Sequence, residues 1–352
     1  MKRNYILLLI FFIAGFVQIS FAQNPTEKKY PVVFYNLENL FDTLKSPGVY
    51  DAEFTPGGPK AWNSKKYWTK IGNIEKVFYN IAGSLKTFPA IIGVSEIENR
   101  NVLEDIVATP KLQRANYQIV HYDSPDARGV DVALLYRPDL FKYEGSYPIP
   151  YVFPDKPYFK TRDILSVWGT IEGERFMFYV CHWPSRLGGQ AASEPNRVRA
   201  AEIIRQHVDS VLTADPNTHI VIMGDMNDDP TDKSLTTALN AVGKIKDINS
   251  DMTLFNPFLP MFKAGYGTLA YQDSWNLFDN MVVSRNLVDG PKGTLKLYRE
   301  PKSQFYGNIF NRAFLTQQSG QYKNYPLRTF VGNTFQGGYS DHFPVYLLIT
   351  RQ

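Results

Sequence analysis

Apolar residues recur along the chain with two spacings, one typical of strands and one typical of helices. Short runs rich in β-branched and aromatic residues predict strands at 32–35, 90–94, 130–136, 164–170, 176–181, 219–223, 280–283 and 344–349. Apolar residues three and four apart predict helices at 65–85 and 194–212, and a weaker one at 99–107 capped by Asn99. Strands of both alternating and wholly apolar type lie between these helices. The pattern therefore predicts an α/β fold, a four-layer α/β sandwich in which two packed mixed β-sheets are flanked by helices.

Two stretches, 46–63 and 249–274, follow neither spacing. The first is rich in proline and glycine, and the second in aromatic and turn residues. Loops of this length in a compact domain often form lids or the rims of binding sites. The aromatic residues of the second stretch fit either a binding groove or simple packing into the core, namely Phe255, Phe258, Phe262, Tyr266 and Tyr271.

The first 22 residues differ from the rest of the chain. Lys2 and Arg3 precede an apolar run over 6–17, which ends at Ser20-Phe21-Ala22. That run is too short to span a bilayer comfortably, so it predicts a signal peptide at 1–22, cleaved near Ala22, and export to the periplasm or the extracellular space. Residues 23–352 are then expected to form a single globular domain and a monomer, without a membrane span.

Composition and charge limit the classes of function that fit this chain. At 352 residues, 44% hydrophobic and 20% charged, the chain can bury a sizeable core, and its single cysteine, Cys181, excludes an intramolecular disulfide. Removing Lys2 and Arg3 leaves 36 basic against 34 acidic residues, a net charge of +2. Such a near-neutral chain does not indicate tight nonspecific DNA binding, although it leaves a local basic patch open.

The clearest chemical signal is an apolar strand that runs into Gly224-Asp225-Met226-Asn227. Gly224 permits a tight turn, and Asp225 and Asn227, two residues apart, face the same side. A carboxylate and a carboxamide therefore converge at a strand end. Taken alone, the motif is equally well explained as an Asp/Asn turn.

Acidic and amide residues end two other strands in the same way. Glu96 and Glu98 follow the run at 90–94, and Asn36 and Glu38 follow the first strand. Neighbouring carboxylates are costly to hold together unless a cation neutralises them, and such hard oxygen ligands suit Mg²⁺, Mn²⁺ or Ca²⁺. Either glutamate alone is also explained as a charge at a helix N-terminus; we assign that role to Glu98 and predict Glu96 as a metal ligand.

Two of the five histidines also lie beside strand ends. His182 precedes a basic, glycine-rich loop that contains Arg186, and Asp341-His342 comes just before the last strand. A lone histidine is more often structural than catalytic, but these two share the placement of the acids. A Ser-His-Asp hydrolase is a weaker alternative, because Ser185 lies in no nucleophile-elbow motif and follows His182 too closely.

Together these motifs resemble the endonuclease/exonuclease/phosphatase superfamily, which has a DNase I-like fold. The resemblance covers nearly all of residues 30–350 and rests on Asn36, Glu38, Glu96, His182, Asp225, Asn227, Asp279, Ser340, Asp341 and His342, which occur in the order seen in that family. It implies a divalent-metal-dependent hydrolase of phosphate ester bonds in which water attacks phosphorus in line.

The resemblance also implies roles for individual residues. Glu96 would be the principal metal ligand, assisted by Glu38 and, through water, by Asp341. Asp225 would orient or deprotonate the attacking water. The remaining predicted catalytic residues are His182 and Asn227, as phosphate contacts, and His342 with its partner Asp279.

Three further residues are predicted to bind or support the substrate, Asn36, Arg128 and Arg186. The guanidinium of Arg128 suits bidentate binding of a phosphate, but an arginine that enters a strand is as readily a solvated edge charge. Arg186 and Arg162 are weaker candidates for the same task.

The substrate is the least determined feature. We expect a nuclease-type phosphodiesterase with a phosphate ester, including nucleic acid, as its partner. The alternatives are a phosphomonoesterase and a phosphodiesterase for lipid or inositol phosphates. A non-catalytic protein that binds nucleic acid or lipid headgroups represents another class, but such a protein has no need to hold so many like charges together.

Overall fold

Two seven-stranded sheets form the centre of the computed structural model, which describes residues 28–352. The strands are β1 (Lys29–Leu40), β2 (Ile91–Ile97), β3 (Gln118–His121), β4 (Asp131–Tyr136), β5 (Lys142–Ile149), β6 (Ile164–Ile171), β7 (Glu174–His182), β8 (His219–Asp225), β9 (Ala241–Val242), β10 (Leu254–Phe255), β11 (Leu269–Tyr271), β12 (Ser274–Asn276), β13 (Asp279–Val283), β14 (Leu295–Leu297), β15 (Asn308–Ile309), β16 (Phe330–Val331), β17 (Thr334–Phe335) and β18 (Val345–Arg351). The predicted signal peptide lies outside the described residues.

Helices pack on both sheets, and the three longest cover their outer faces. They are α1 (Ser64–Leu85), α2 (Arg100–Val107), α3 (Gln190–Ala214), α4 (Leu259–Lys263) and α5 (Asn286–Asp289), with a π-helical turn at Ser234–Ala238. Asn63 and Asn99 cap α1 and α2, because their side chains accept hydrogen bonds from the backbone N–H groups of Lys66 and Val102. No helix among these residues combines the length and apolar character needed to cross a membrane.

Both sheets are mixed. The first has the order β14-β18-β1-β2-β4-β3, with β15 also paired to β18, and the second has the order β5-β6-β7-β8-β13-β10-β9. The pairs β1–β2 and β7–β8 are parallel, whereas β18 runs antiparallel to β1 and β13 antiparallel to β8. The hairpins β11–β12 and β16–β17 stand apart from the two sheets.

Three hydrophobic cores separate the four layers. On β1, Val33 and Tyr35 pack with α1 on one side, while Val32 and Phe34 face the second sheet. The third core joins the second sheet to α3. Successive residues of a central strand point to opposite faces, so a strand buried on both sides is apolar throughout. The four-layer prediction is confirmed.

The elements differ from the sequence prediction in several places. β3 and β5 were not expected, and β1 continues past 35 to Leu40. The stretch 249–274 is not one loop, because it contains β10, α4 and β11. Phe255 and Phe258 are buried in the core between the sheets, whereas Tyr266 and Tyr271 are 51% and 67% exposed. The packing interpretation is therefore correct for the phenylalanines.

Gly224 permits close strand pairing rather than the predicted tight turn. It lies within β8, directly opposite Cys181 of the neighbouring β7. A Cβ atom at this position would overlap the Cys181 carbonyl group. The glycine is needed for close pairing of the two strands that carry His182 and Asp225.

Candidate active site

The polar residues at the strand ends meet at one edge of the packed sheets. Asn36 lies late in β1 and Glu96 late in its parallel neighbour β2, while His182 and Asp225 are the last residues of the parallel pair β7 and β8. Parallel neighbours end at the same edge of a sheet, and ligands of α/β proteins bind at the carboxyl ends of such strands. The fold thereby brings these four side chains together.

Two antiparallel strands bring a second pair of residues to this edge. Asp279 begins β13 and pairs in register with Asp225, while His342 lies just before β18, which runs back along β1. His342 Nδ1 is 2.7 Å from Asp279 Oδ2, and its Nε2 is 3.8 Å from Asp225 Oδ2. The predicted His342–Asp279 pair therefore exists and is buried.

Asp225 is fixed from several directions. Its Oδ2 accepts a hydrogen bond from Asn36 Nδ2 at 3.0 Å, and its Oδ1 accepts one from the backbone N–H of Asn227 at 3.0 Å. His182 Nε2 lies 3.6 Å from the same Oδ2. The Asn227 side chain is itself held by the Trp183 carbonyl at 2.9 Å. The carboxylate is therefore oriented before any substrate arrives.

Glu96 keeps one oxygen without a hydrogen bond. Its Oε2 accepts from the backbone N–H of Asn39 at 2.8 Å. Its Oε1 lies 3.7 Å from Arg128 Nη2 and 3.8 Å from His182 Nε2, which is beyond direct hydrogen bonding. Within residues 28–352, Oε1 is thus left as an available acidic ligand atom.

Unusual backbone angles collect at this edge. Glu38, Asn39, Glu96 and Asn227 have φ values of 49°, 50°, 59° and 49°, in the left-handed region that non-glycine residues seldom adopt. Such conformations cost on the order of 1–3 kcal/mol each and cluster at functional sites. Their concentration here supports a functional role for this edge of the sheets.

The two histidines differ in protonation state because their surroundings differ. Burial, together with the nearby charges of Arg162 and Arg128, lowers the pKa of His182 well below its usual range. Burial opposes the charge of His342 too, but Asp279 and Asp225 outweigh it and raise the pKa of His342 well above its usual range. His182 is therefore neutral, and His342 is an imidazolium.

The two central acids also differ. Burial raises the pKa of Asp225, and the adjacent Asp279 raises it further, although His342 opposes both effects. For Glu96 burial likewise favours the neutral form, but Arg128 and His342 outweigh burial and lower the pKa overall. Glu96 is thus a firmly ionised ligand, whereas Asp225 is more basic than an ordinary aspartate.

The other two predicted metal ligands share a guanidinium. Arg328 donates from Nε to Glu38 Oε1 at 3.3 Å and from Nη2 to Asp341 Oδ2 at 2.9 Å. The second oxygen of Glu38 accepts from the backbone N–H of Thr329 at 2.6 Å, and Lys70 Nζ lies 3.9 Å away. Both acids therefore border the site but are already paired with protein donors.

A hard divalent cation fits this donor set. Glu96 offers an ionised carboxylate oxygen without a hydrogen bond, which is the ligand type that Mg²⁺ and Mn²⁺ prefer. Nearby, Asp279 Oδ1 and His182 Nδ1 are buried and have no hydrogen-bond partner in the described part of the chain. Buried polar atoms are rarely left in this state, so the edge has unused capacity to bind a ligand.

The sequence also matches a known protein family over nearly its whole length. A model described as the Endonuclease/Exonuclease/phosphatase family matches residues 31–351. The chain belongs to this family. It is accordingly a metal-dependent hydrolase of phosphate ester bonds, and its DNase I-like fold is that of the family. No curated protein matches the sequence.

Solved structures of the family share the fold at low sequence identity. TDP2 of D. rerio, solved with a single-strand DNA product, has 11% identity and a TM-score of 0.55, covering 92% of this chain and all of its own. A family protein from Bacteroides thetaiotaomicron has 17% identity and a TM-score of 0.53, covering 92% and 96% of the two chains. A mannosyl-6-phosphatase from the same organism has 16% identity and a TM-score of 0.51, covering 91% and 99%.

Arginines border the endonuclease/exonuclease/phosphatase site in two ways. Arg128 is 45% exposed, with Nη2 3.7 Å from Glu96 Oε1 and Nε 3.8 Å from Asp126 Oδ1. Arg162 is buried, where it donates to Asp126 Oδ2 at 3.1 Å and to the Trp183 carbonyl at 2.8 Å. Arg128 thus presents an accessible guanidinium beside Glu96, and Arg162 is connected to it through Asp126.

Arg186 binds carboxylates and a backbone carbonyl beside the site. Its Nε donates to the Asn227 carbonyl at 2.9 Å, and its Nη2 lies within 3.4 Å of carboxylate oxygens of Asp228, Asp229 and Asp232. Phosphate binding by Arg186 stays a prediction from the sequence. In this family member the guanidinium is already surrounded by carboxylates.

Sequence reasoning missed Arg328, Lys70 and Thr268. The first two neutralise Glu38, and the Thr268 hydroxyl accepts a 3.4 Å hydrogen bond from the Asp279 backbone N–H. None of the three lies in a recognisable motif. The Lys70 position on the buried face of α1 was the single usable signal, because lysines are rarely buried without a partner.

A group capable of binding a metal was also missed. His121, Asp123 and Asp131 hold potential ligand atoms within 4.8 Å of one another, at the ends of β3 and β4. His121 Nε2 lies 3.0 Å from Asp131 Oδ2, so the group is also explained as a hydrogen bond that ties the two strands together.

Proposed function

We propose that this chain hydrolyses a phosphate ester by direct attack of water at the centre formed by Glu96, His182, Asp225, Asp279 and His342. One observation carries the proposal: Asp225 Oδ2 lies 3.6 Å from a neutral histidine and 3.8 Å from a protonated one. A proton acceptor and a positively charged donor thus stand side by side. In-line hydrolysis needs both.

Asp225 acts on the attacking water. Its raised pKa makes the carboxylate a better proton acceptor, and the hydrogen bonds from Asn36 and Asn227 fix its direction. As the water proton moves to the carboxylate, the water oxygen bonds to phosphorus. The bond between phosphorus and the ester oxygen breaks, and the leaving alkoxide takes a proton from solvent to depart as the alcohol.

His342 stabilises the charge that grows on the phosphoryl oxygens. Asp279 holds Nδ1, so Nε2 is left to donate toward the substrate. His182 is neutral and contributes a hydrogen bond without a charge. In this mechanism His342 alone takes up the developing charge.

Glu96 is the residue best placed to hold the divalent cation, with Glu38 and Asp341 at the border of the same site. Mg²⁺ or Mn²⁺ bound there would polarise a phosphoryl oxygen and stabilise the leaving alkoxide. Arg128, with its exposed guanidinium beside Glu96, is positioned to bind a second phosphoryl oxygen.

Two substrate classes follow from the structural neighbours. The D. rerio protein solved with DNA product supports the nuclease-type phosphodiesterase expected from the sequence, and the mannosyl-6-phosphatase supports a phosphomonoesterase. Export of the enzyme, as inferred from residues 1–22, would place either activity in the periplasm or outside the cell.

The test is a metal and substrate panel on the purified protein. After chelation, Mg²⁺, Mn²⁺ or Ca²⁺ is added back with p-nitrophenyl phosphate, bis(p-nitrophenyl) phosphate and a single-stranded oligonucleotide. We expect hydrolysis that depends on the metal and falls by roughly 10²–10³-fold in His342→Ala, as for loss of a preorganised donor. His207→Ala, which alters a histidine of α3 that pairs with the Tyr179 hydroxyl, serves as the control. Wild-type turnover in His342→Ala, or no hydrolysis with any metal, would overturn the proposal.

A further inference from the structure

A pocket of about 340 Å³ opens directly beside the catalytic edge. Arg328 and Asp341 form its inner wall, and Tyr271, Tyr322 and Tyr325 are among the residues of its outer part. Asp341 Oδ1 lies 3.8 Å from His342 Nε2. A group in this pocket is therefore within reach of a phosphate bound at the histidine.

Tyr271, Tyr322 and Tyr325, which we call the tyrosine wall, connect to the catalytic residues through packed aromatic rings. Tyr325 meets Trp275 edge to face at 5.6 Å, and Trp275 stacks on Phe343 at 6.1 Å with an interplanar angle of 16°. Phe343 follows His342 in the chain. These ring contacts therefore connect the wall of the pocket to the residue next to the imidazolium.

Tyr271 is presented by a tight hairpin. The two residues between β11 and β12, Gln272 and Asp273, have φ values of 48° and 60°, which a two-residue turn of this type requires. Asp273 Oδ1 accepts a 2.6 Å hydrogen bond from the Tyr325 hydroxyl. This hydrogen bond joins the hairpin turn to Tyr325. The Tyr271 side chain is 67% exposed.

The charged groups in the lining already have hydrogen-bond partners within the protein. The Arg328 guanidinium is bound by Asp341 and Glu38, and Asp273 is bound by Tyr325. The amide side chains of Gln317 and Gln321 are uncharged donors and acceptors. Such a surface offers aromatic faces and neutral hydrogen-bonding groups rather than a binding site for a further phosphate.

We propose that the substrate's alcohol carries a neutral hydroxylated ring, the sugar ring of a sugar phosphate or of a nucleotide, and that this ring binds against Tyr271 and Tyr322. The inference rests on the proposed phosphoesterase activity and specifies its substrate class. The volume lies at the lower end of small-ligand pockets, which suits one ring rather than a long polymer. The ester oxygen then lies toward Asp341 and the phosphate toward His342.

The experiment compares ring-bearing and ringless monoesters. KM and kcat are measured for a hexose 6-phosphate, a nucleoside 5′-monophosphate and glycerol 3-phosphate, with wild type, Tyr271→Ala and Tyr322→Ala. Loss of one stacking ring should raise KM for at least one ring-bearing ester by roughly 5- to 100-fold and leave glycerol 3-phosphate unchanged. Tyr271→Phe retains the aromatic face and should retain most of the affinity.

Tyr79→Ala, on the surface of α1, is the matched control and should change none of these constants. Which ring-bearing ester responds distinguishes the free sugar from the nucleotide. Equal effects on ring-bearing and ringless esters, or no effect of either tyrosine, would overturn the proposal.

A second measurement separates failure of this inference from failure of the proposed function. Binding of the free hexose and the free nucleoside is followed by saturation-transfer NMR, which requires no hydrolysis. Transfer that disappears in Tyr271→Ala supports the ring pocket even in an inactive preparation. Absence of transfer with both compounds contradicts it even where phosphate esters are hydrolysed.

Discussion

Two groups of acidic residues flank the end of β8, and they differ in how their charge is balanced. On one side, Asp228 accepts from the fully buried Arg197 at 2.5 Å and from Ser234 at 2.7 Å. Asp229 and Asp232 accept from Arg186 at 3.2 and 2.8 Å. In this group, which we call the arginine cluster, protein cations neutralise the carboxylates.

In the catalytic group on the other side, some carboxylate oxygens have no hydrogen-bond partner among residues 28–352. Asp225 and Asp279 share the cation His342, Glu96 Oε1 accepts no hydrogen bond, and Asp279 Oδ1 has no partner among residues 28–352. A complete set of partners stabilises a fold, whereas open ligand atoms allow a cation and substrate to bind. The neighbours Asp225 and Asp228 therefore serve different purposes, and substitutions should separate activity from stability.

The largest effect is expected for Asp225→Asn. Loss of the proton acceptor should lower kcat by roughly 10²–10⁴-fold, the usual range for general acid–base catalysis. The fold should be retained or slightly stabilised, because burial already disfavours the charged form of this residue. Steady-state kinetics and thermal unfolding provide the two measurements. Asp232→Asn, in the arginine cluster, should turn over normally; the comparison fails if both variants lose activity equally.

The next effect concerns stability. Arg197→Ala removes the buried cation closest to Asp228, leaves only the more distant Arg186 at 3.4 Å, and should lower the free energy of unfolding by about 3–5 kcal/mol. Denaturant titration measures the loss. Arg285→Ala removes an exposed ion pair with Asp251 and should cost less than about 1 kcal/mol. Equal stability of the two variants would contradict a structural role for the arginine cluster.

The smallest effect is a displacement of the pH profile by Asp279→Asn. His342 acts when protonated; burial opposes that charge, but Asp279 and Asp225 raise its pKa well above the usual range. In wild type, activity should persist as pH rises until that pKa is passed. Without the Asp279 charge the pKa falls, so the alkaline limb of kcat should move to lower pH by about 1–3 units. An unchanged alkaline limb of the pH profile would show that Asp279 does not raise the pKa of His342.

Much of the site was predictable from local sequence. Asn36, Glu96, His182 and Asp225 each lie at the end of an apolar run, and a strand fixes which neighbours share a face because its side chains alternate. The four-layer arrangement followed similarly from strands that are apolar on both faces. These features require only short-range regularities, which the sequence displays directly.

The partners of charged residues could not be predicted from local sequence. Arg186 was expected to approach a phosphate from a glycine-rich loop, but the fold places it against carboxylates from the segment after β8. Arg328 could not be found because its partners Glu38 and Asp341 are 290 and 13 residues away. Such contacts depend on chain segments that only folding brings together.

By itself, the sequence determined the fold class, the family and the residues that gather at one edge of the sheets. Only the tertiary structure decided that His182 is neutral and His342 charged, and that a tyrosine-lined pocket opens beside Asp341. The physical reason is that secondary structure follows from spacing along the chain. Protonation and ligand access follow instead from burial and from charges contributed by distant segments.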